Sequence, residues 1–262
     1  MARLVKFINI NGVMEVKSGL SILGNKDGMG PGGVDGAVVR NPLNNEPYIP
    51  GTSLKGKMRS KLEESMGKVD ANPCGCGKKD CMICTLFGAH RNVKSEAGSP
   101  RVLFRDMKLV DSYKDAENII ETKVETMIDR KTKVAATGSL RNRERVVEGV
   151  KFNYEIVVQI YEGDNEEKIL ETLNKGIDLV ELTGLGGKTS GGYGQVDFGR
   201  DKEAYKITDV DENSRIILQF VRQQQKSTNL IVFGHIGNQL SCIALFLYGI
   251  QHFICNIGYF PR

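Results

Sequence analysis

The chain has 262 residues, and its 36 Lys and Arg against 32 Asp and Glu give a formal net charge of +4 at pH 7. This length is ample for one large domain with its own core. So small a charge excludes a uniformly basic molecule, so any anion-binding surface must be a local patch. No basic segment followed by an apolar one opens the chain, which argues against a secretory signal and favours the cytoplasm.

The first predicted element is a strand over Arg3–Val16, where apolar and polar residues alternate. The segment Gly19–Gly36 then contains seven glycines, and we expect a long mobile loop there. Loops of that length in compact domains are functional or disordered, and Asp35 lies near the end of this one.

A first helix is predicted from Leu54 to about Met66, after helix-capping residues at Gly51–Ser53. Its buried stripe repeats every four residues, at Leu54, Met58, Leu62 and Met66. Gly56 stands between two lysines, which suggests that another backbone approaches there. A solvated basic face is the simpler interpretation of those charges.

Four cysteines follow within eleven residues, as Cys74-x-Cys76-x4-Cys81-x2-Cys84. In a chain without a secretory signal, such a cluster is more typical of a metal site than of disulfides. Soft thiolates bind zinc tetrahedrally, and four protein ligands leave no open position, which predicts a structural site. His90 is a possible substitute for one thiolate, and free thiols remain the alternative. Since the segment has few apolar residues, we expect the metal to order it.

The rest of the chain alternates strands and one helix. Strands are predicted over Val102–Phe104, Met107–Val110, Phe152–Tyr161 and Gln195–Phe198, and a helix over Glu166 to about Leu182. The order β-α-β-β-α-β suggests an α+β ferredoxin-like unit that carries insertions. The stretch between Glu121 and Gly149 is polar, basic and poor in core residues.

Six glycines lie in the eleven residues Gly184–Gly194, together with Lys188, two hydroxyls and one aromatic side chain. Glycines allow φ > 0 and close approach, so exposed N–H groups here are predicted to cradle phosphate, with Lys188 adding a charge. The segment is not a nucleotide P-loop, because position 182 is Leu where that motif needs its first glycine.

The tail from Asn229 to Pro261 contains no Asp, Glu, Lys or Arg. A charge-free run of this length raises the hypothesis of a membrane-spanning or partner-binding segment. Gly, His, Asn and Gln interrupt it without a helical period, so a C-terminal appendage at the edge of the fold is the favoured interpretation.

Several motifs, taken in chain order, together resemble one family. They are Gly33–Asp35 with Val38–Pro42, Pro47–Arg59, Leu86–Gly88, Ile128–Thr132, Arg143–Val146 and the glycine-rich segment. This pattern resembles the repeat-associated (RAMP) superfamily proteins of CRISPR systems, and within them the backbone subunits of type III-A (Csm) interference complexes. The resemblance covers about residues 1–212.

The resemblance implies a ferredoxin-like or RRM-like palm spanning residues 1–212, with a zinc-containing lid at about 67–100 and a thumb hairpin at 121–149. Residues 213–262 would be a C-terminal extension. The implied partners are CRISPR RNA, complementary target RNA, copies of the same subunit in a filament and other Csm subunits, with no membrane. The expected RNA-binding residues are basic or lie in the glycine-rich segment: Lys55, Lys57, Arg59, Arg130, Arg141, Arg143, Arg145, Gly186, Gly187, Lys188, Ser190 and Gly191.

The resemblance also implies an endoribonuclease that cuts guide-paired target RNA, in which Asp35 matches the catalytic residue. The RNA's own 2′-hydroxyl would be the nucleophile, with Mg²⁺ or Mn²⁺ assisting. Apolar Met127, Ile128 and Val134 of the thumb would wedge between bases. A loop aspartate by itself is usually a turn residue. A structural RNA-binding subunit without cleavage, and the equivalent subunit of a type III-B complex, therefore stay open.

Overall fold

The computed structural model describes residues 2–24, 35–92, 94–113 and 118–200, and the backbone of five further strands between residues 204 and 255. Most of the predicted glycine-rich loop at Gly19–Gly36 lies outside the described residues, although Asp35 is within them.

The elements up to residue 200 follow one another in this order: β1 (Leu4–Val16), β2 (Tyr48–Ile49), α1 (Gly51–Ser65), α2 (Met82–Phe87), β3 (Val102–Phe104), β4 (Met107–Leu109), β5 (Ile120–Glu125), β6 (Arg141–Val146), β7 (Lys151–Tyr161), α3 (Glu166–Thr183) and β8 (Val196–Asp197). Single 3₁₀ turns lie at Asp111–Tyr113 and Thr189–Gly191. The five later strands are β9 (Ala204–Val210), β10 (Ile216–Gln224), β11 (Ser227–Ile236), β12 (Gln239–Leu245) and β13 (Ile254–Cys255).

One antiparallel sheet organises the molecule. Its order is β13-β12-β11-β10-β9-β1-β7-β4-β2, while β3 also pairs with β7 and β8 with β1. The strands that follow α3 therefore lie beside β1, and the strands that follow α1 lie beside β7. This α+β arrangement is consistent with the predicted ferredoxin-like palm.

Alternating residues of β1 and β7 explain why these strands occupy the centre of the sheet. Ile8, Ile10 and Met14 of β1 are buried, and so is every second residue of β7 from Phe152 to Ile160. Gly12 interrupts the buried series because the ring of Tyr154 lies over it. A Cβ at Gly12 would be 2.5 Å from the tyrosine hydroxyl oxygen.

Helices α1 and α3 cover the buried face of the sheet. The predicted stripe of α1 is confirmed at Leu54, Met58 and Leu62. Gly176 of α3 lets the helices approach closely, since a Cβ there would be 2.6 Å from Met58 Cγ. Helix α3 begins as predicted, with the Asn165 side chain accepting a hydrogen bond from the Lys168 N–H.

The predicted start of α1 is wrong by three residues. The helix begins at Gly51, and no side chain within its own first turn caps it. Its first N–H donates instead to Asp106 Oδ1, 2.8 Å away in the β3–β4 loop. A cap supplied from 55 residues further along the chain leaves no local sequence signal.

The cysteine-containing segment contributes apolar residues to the main core. It includes the short helix α2, which the sequence did not predict. Ile83, Cys84, Leu86 and Phe87 of this helix are buried in the main core. The segment is therefore packed against the palm through α2, while the loop before that helix carries Cys74 and Cys76.

Strands β5 and β6 form a separate two-stranded hairpin, with Ile120 opposite Val146 and Glu125 opposite Arg141. The hairpin joins the palm at its base, where Leu20 forms a bridge with Val146. Its tip is held by local hydrogen bonds, including those from the N–H groups of Lys131 and Thr132 to Asp129 Oδ1.

In the described part of the charge-free tail, the backbone forms strands. Most of β11, together with β12 and β13, lies in this tail, and these strands continue the antiparallel sheet beyond β10. Among the described residues, no helix has the length and apolar character that crossing a bilayer requires.

Candidate functional site

Asp35 lies beside β6 of the β5–β6 hairpin. Its carboxylate Oδ2 accepts a hydrogen bond of 2.8 Å from the backbone N–H of Asn142 in β6. The residue is exposed. Within the described part of the chain, its other oxygen has no hydrogen-bond partner. The carboxylate is thus fixed through one oxygen and free to interact through the other.

The segment that follows Asp35 is fastened to the same strand. Gly36 pairs with Arg143 in a parallel bridge, and the Glu144 N–H donates to the Gly36 carbonyl at 2.9 Å. The Glu144 carboxylate accepts from the Val38 N–H and from Arg40 Nη2, both at 3.0 Å. Because of these bonds, β6 of the hairpin fixes the position of Asp35.

Two polar atoms beside Asp35 lack partners. Asn142 Oδ1 and Arg143 Nε are shielded from solvent, and neither has a hydrogen bond with a described residue. An unsatisfied buried polar atom costs about 1–3 kcal/mol, so such atoms mark places where a ligand or another segment is expected to bind.

The glycine-rich segment lies against Gly19–Ile22, which in turn lies against β6. The Gly187 N–H donates to the Ser21 carbonyl, and the Gly194 N–H donates to the Gly19 carbonyl. On the other side, the Ser21 hydroxyl donates to the Glu144 carbonyl at 3.2 Å. The buried Gly19–Ile22 strip therefore connects the glycine segment to β6 of the hairpin.

Fewer amides of this segment are free than the sequence suggested. The N–H groups of residues 185, 187 and 191–194 are all used in hydrogen bonds within the protein. Gly186 is needed for packing, because its φ is +79° and a Cβ would lie 2.5 Å from the Ser21 carbonyl oxygen. Gly187, Lys188, Ser190 and Gly191 are exposed. The part that can meet a ligand is thus the turn from Gly187 to Gly191.

Three cations surround the buried ring of Tyr193. Lys123 Nζ lies 4.9 Å from the ring centroid, the Arg145 guanidinium 5.0 Å and Lys188 Nζ 6.0 Å. Two of these cations, Lys188 and Arg145, are paired with carboxylates of β5. Glu125 accepts from Lys188 and from the Tyr193 hydroxyl at 2.8 Å, and Glu121 accepts from Arg145 at 2.6 Å.

The basic residues of α1 have different environments. Lys55 and Lys57 are half-buried at the helix surface, and burial, assisted by Lys61, lowers the pKa of Lys57. Gly56 between them has open space where a Cβ would stand. Arg59 instead donates to Glu63 at 2.9 Å and to the Cys74 carbonyl at 2.7 Å, so in this chain it ties α1 to the cysteine loop.

The hairpin presents exposed apolar and basic side chains together. Arg130 and Arg141 are exposed. The exposed apolar residues, each more than half accessible to solvent, are Val124, Met127, Ile128, Val134 and Leu140. Such a cluster on a projecting hairpin indicates a surface that binds a partner.

The four cysteines converge as the sequence predicted. Their sulfur atoms lie within 4.8 Å of one another. Four of the Sγ–Sγ distances are 3.7 or 3.8 Å, well beyond the roughly 2.05 Å of a disulfide. His90 is not part of this group, and its backbone N–H donates to the Cys74 carbonyl. The cluster can hold a metal ion with cysteine ligands alone.

The sulfur environments differ within the cluster. Burial raises the pKa of Cys84 to about 12 and also raises that of Cys74. Burial opposes the charged form of Cys81 as well, but the Lys68 ammonium, 2.9 Å from its sulfur, and the Cys84 N–H outweigh it and lower the pKa of Cys81 to about 6.

Sequence reasoning did not single out four residues that shape these sites. They are Glu125, Glu144, Tyr193 and Lys68, and each acts through a contact with a residue distant in sequence. Motif spacing carries no signal for such contacts, although Glu144 and Tyr193 do lie inside stretches that contributed to the resemblance.

The chain is similar to known proteins over most of its length. The family model of the RAMP superfamily matches residues 21–197. The CRISPR system Cms endoribonuclease Csm3 of Methanothermobacter thermautotrophicus is 36% identical over 215 residues, which are 75% of this chain and 85% of that protein. The protein of the same name from Methanocaldococcus jannaschii is 37% identical over 198 residues, 72% of this chain and 77% of that protein. The protein of the same name from Mycobacterium tuberculosis is 35% identical over 223 residues, which are 78% of this chain and 91% of that protein. The chain therefore belongs to the RAMP superfamily, in which it is a Csm3-like protein of the type III-A CRISPR systems.

Proposed function

We propose that this chain is the CRISPR-RNA-binding backbone subunit of a type III-A effector complex and cuts target RNA paired to the guide. As a Csm3-like protein it is an endoribonuclease subunit. The observation that carries the assignment of the cutting site is Asp35, an exposed residue that is anchored through one carboxylate oxygen to β6 of the hairpin.

The reaction uses a nucleophile that RNA itself provides. The 2′-oxygen attacks the adjacent phosphorus, the bond from phosphorus to the 5′-oxygen breaks, and the products carry a 2′,3′-cyclic phosphate and a 5′-hydroxyl. Asp35 accepts the proton of the 2′-hydroxyl or holds a divalent cation at the scissile phosphate. A bound Mg²⁺ or Mn²⁺ would supply stabilisation of the charge that develops on the phosphate. One exposed carboxylate oxygen fits such an ion, which keeps most of its water ligands.

Alignment of the scissile bond is the task of the hairpin, which acts as the thumb between about residues 121 and 149. Its exposed Met127, Ile128 and Val134 are placed to unstack bases. A displaced nucleotide can adopt the in-line geometry in which its 2′-hydroxyl faces the phosphorus, and orientation of this kind supplies much of a rate enhancement. Asn142 Oδ1 and Arg143 Nε, which have no hydrogen bond with a described residue, are proposed as further contacts for such a nucleotide.

The guide RNA follows the basic surface. Phosphate-binding residues are proposed on α1, at the hairpin base and in the glycine turn: Lys55, Lys57, Arg141, Arg143, Arg145, Gly187, Lys188, Ser190 and Gly191. Gly186 supports the turn, Arg130 reaches the RNA from the thumb, and Arg59 contributes by fixing the loop that precedes α2. Neutralisation of phosphates by these cations makes the affinity depend on salt.

Copies of the chain would line the guide, with complementary target RNA and other Csm subunits as further partners, in the cytoplasm. The RNA-binding unit is proposed to span residues 1–212, with residues 213–262 as an extension. The family match ends at residue 197, which supports placing the tail outside the unit.

The cysteine cluster is proposed to hold structural Zn²⁺ in a lid formed by about residues 67–100. A zinc–sulfur distance of about 2.3 Å in a tetrahedron requires sulfur atoms about 3.8 Å apart. The observed 3.7 and 3.8 Å fit that requirement. Four thiolates leave no open position, so the ion orders the lid and takes no part in cleavage.

The test is to incubate the assembled complex with complementary RNA and Mg²⁺ and to analyse the ends of the products. We expect cuts at regular intervals, with 2′,3′-cyclic phosphate and 5′-hydroxyl ends. Binding of the target without any cleavage would instead support a structural filament subunit. Products with 3′-hydroxyl and 5′-phosphate ends would exclude attack by the 2′-hydroxyl.

A further inference from the structure

Lys68 is placed next to the cysteine cluster by the way α1 ends. Gly67 has φ +66°, the Gly67 N–H donates to the Glu64 carbonyl and the Lys68 N–H donates to the Glu63 carbonyl. These two bonds form a Schellman motif, which terminates the helix and reverses the chain. The reversal directs Lys68 toward the cluster, and its Nζ lies 2.9 Å from Cys81 Sγ.

The same helix turn also holds a second cysteine. Glu63 is buried, and its Oε1 accepts from Arg59 Nε and from the Cys74 N–H, both at 2.9 Å. Arg59 Nη2 donates to the Cys74 carbonyl. One end of α1 therefore contacts the cluster at both Cys74 and Cys81.

Charge explains why a lysine belongs there. Four thiolates around a divalent ion carry a net charge of −2, which is costly in a site where two of the four cysteines are buried. Backbone amides also donate to these sulfur atoms: the Gly77 N–H lies 3.4 Å from Cys84 Sγ, and the Cys84 N–H helps to lower the pKa of Cys81. Unlike these neutral donors, Lys68 brings a positive charge to the cluster.

We propose that Lys68 is an outer-sphere residue of the metal site: it donates a hydrogen bond to the Cys81 thiolate, neutralises part of the cluster charge and thereby strengthens metal retention. This inference rests on the proposed zinc site. A metal-bound thiolate still has lone pairs that can accept such a bond, and partners that contact metal ligands in this way typically change metal affinity about 10- to 100-fold when removed.

The experiment measures zinc affinity of the full chain by competition with a chromophoric chelator, with Co²⁺ as a second probe whose sulfur charge-transfer band reports thiolate coordination. Lys68→Met removes the charge and the hydrogen-bond donor but keeps an unbranched side chain of similar length. Lys79→Met is the matched control, because Lys79 is an exposed lysine of the same loop with no contact to a sulfur atom. Lys68→Arg restores both the charge and the donor.

We expect Lys68→Met to weaken zinc binding about tenfold or more, Lys79→Met to leave it unchanged and Lys68→Arg to recover most of the loss. Equal zinc affinities for wild type, Lys68→Met and Lys79→Met would overturn the role of Lys68. A wild-type chain that binds neither Zn²⁺ nor Co²⁺ would instead refute the metal site itself. Should Lys68→Met not be recovered folded, Lys68→Gln serves in the same comparison.

Discussion

At the scale of single residues, carboxylates that accept backbone N–H groups fix the parts of this molecule that matter for function. Asp35 is held by Asn142, the segment after Asp35 by Glu144, and the start of α1 by Asp106. In each case the acceptor and the donor are more than 50 residues apart. The local motif supplies the carboxylate, and the fold supplies its partner.

Asp106 gives the first prediction. Asp106→Ala removes the acceptor for the Gly51 N–H and should destabilise the protein by about 1 kcal/mol, the typical value of a helix cap. Chemical denaturation measures this difference. Asp80→Ala, at an exposed position in the cysteine loop, is the control and should change little. An Asp106→Ala protein as stable as that control would show that the cap contributes nothing.

Glu125 gives the second prediction. Its carboxylate accepts hydrogen bonds from Lys188, which the proposed function assigns to phosphate binding, and from the neighbouring Tyr193 hydroxyl. Glu125→Gln should therefore raise the affinity of the isolated chain for single-stranded RNA roughly two- to fivefold, as measured by fluorescence anisotropy. The control is Glu166→Gln, which removes the same charge but weakens a pair with Lys6 of β1. This substitution should not raise the affinity for RNA. Weaker RNA binding by Glu125→Gln would mean that Glu125 itself contacts RNA.

At the scale of elements, the glycine-rich segment combines two functions that the sequence presents as one. Gly184, Gly186 and Gly194 have positive φ and lie against other backbone, whereas Gly191 has open space around it. The first three shape the turn, and the exposed part from Gly187 to Gly191 is left for the ligand.

This division predicts opposite effects for two similar substitutions. Gly186→Ala should lower stability by about 1–3 kcal/mol, because alanine is strained at φ +79° and its Cβ meets the Ser21 carbonyl. Gly191→Ala should leave the melting temperature unchanged but weaken RNA binding, since a methyl group holds the phosphate backbone away. Thermal melts and RNA titrations of both variants measure this. Equal losses of stability would contradict it.

The elements also show what the sequence can and cannot predict. The bounds of β1, β7 and α3 follow from the periodicity of their apolar residues, and the structure agrees within one residue at each end. Helix α1 was placed too late because its cap comes from Asp106, and α2 was missed because six residues show no clear period. The cysteine site was predictable from spacing, whereas the contacts of Lys68 and Glu125 depend on the fold.

At the scale of the whole molecule, the cysteine lid and the palm share one core. Cys81 and Cys84 are buried with Leu54 and Leu62 of α1 and Ile177 of α3 in the same cluster. An ion bound to these cysteines should therefore stabilise the palm as well as the lid.

Removal of the metal tests that connection. A chelator should lower the melting temperature of the chain by roughly 5–10 °C. The reason is that a metal ion bound only to the folded state stabilises every part of the protein that unfolds together with its site. Acidification should have the same effect, since protons compete with the metal for sulfur and Cys84 in particular has a raised pKa. A melting temperature that EDTA leaves unchanged in a zinc-loaded sample would show that lid and palm are independent.

The central claim is that Asp35 cuts RNA while the rest of the surface holds it. Asp35→Asn keeps an oxygen for the Asn142 N–H and removes only the charge, so the hairpin base should stay in place. The decisive measurement compares, in the assembled complex with Mg²⁺, the cleavage rate of complementary RNA and its affinity for wild type and Asp35→Asn. We predict a rate at least about 100-fold lower with unchanged affinity. Cleavage by Asp35→Asn at the wild-type rate would contradict the account.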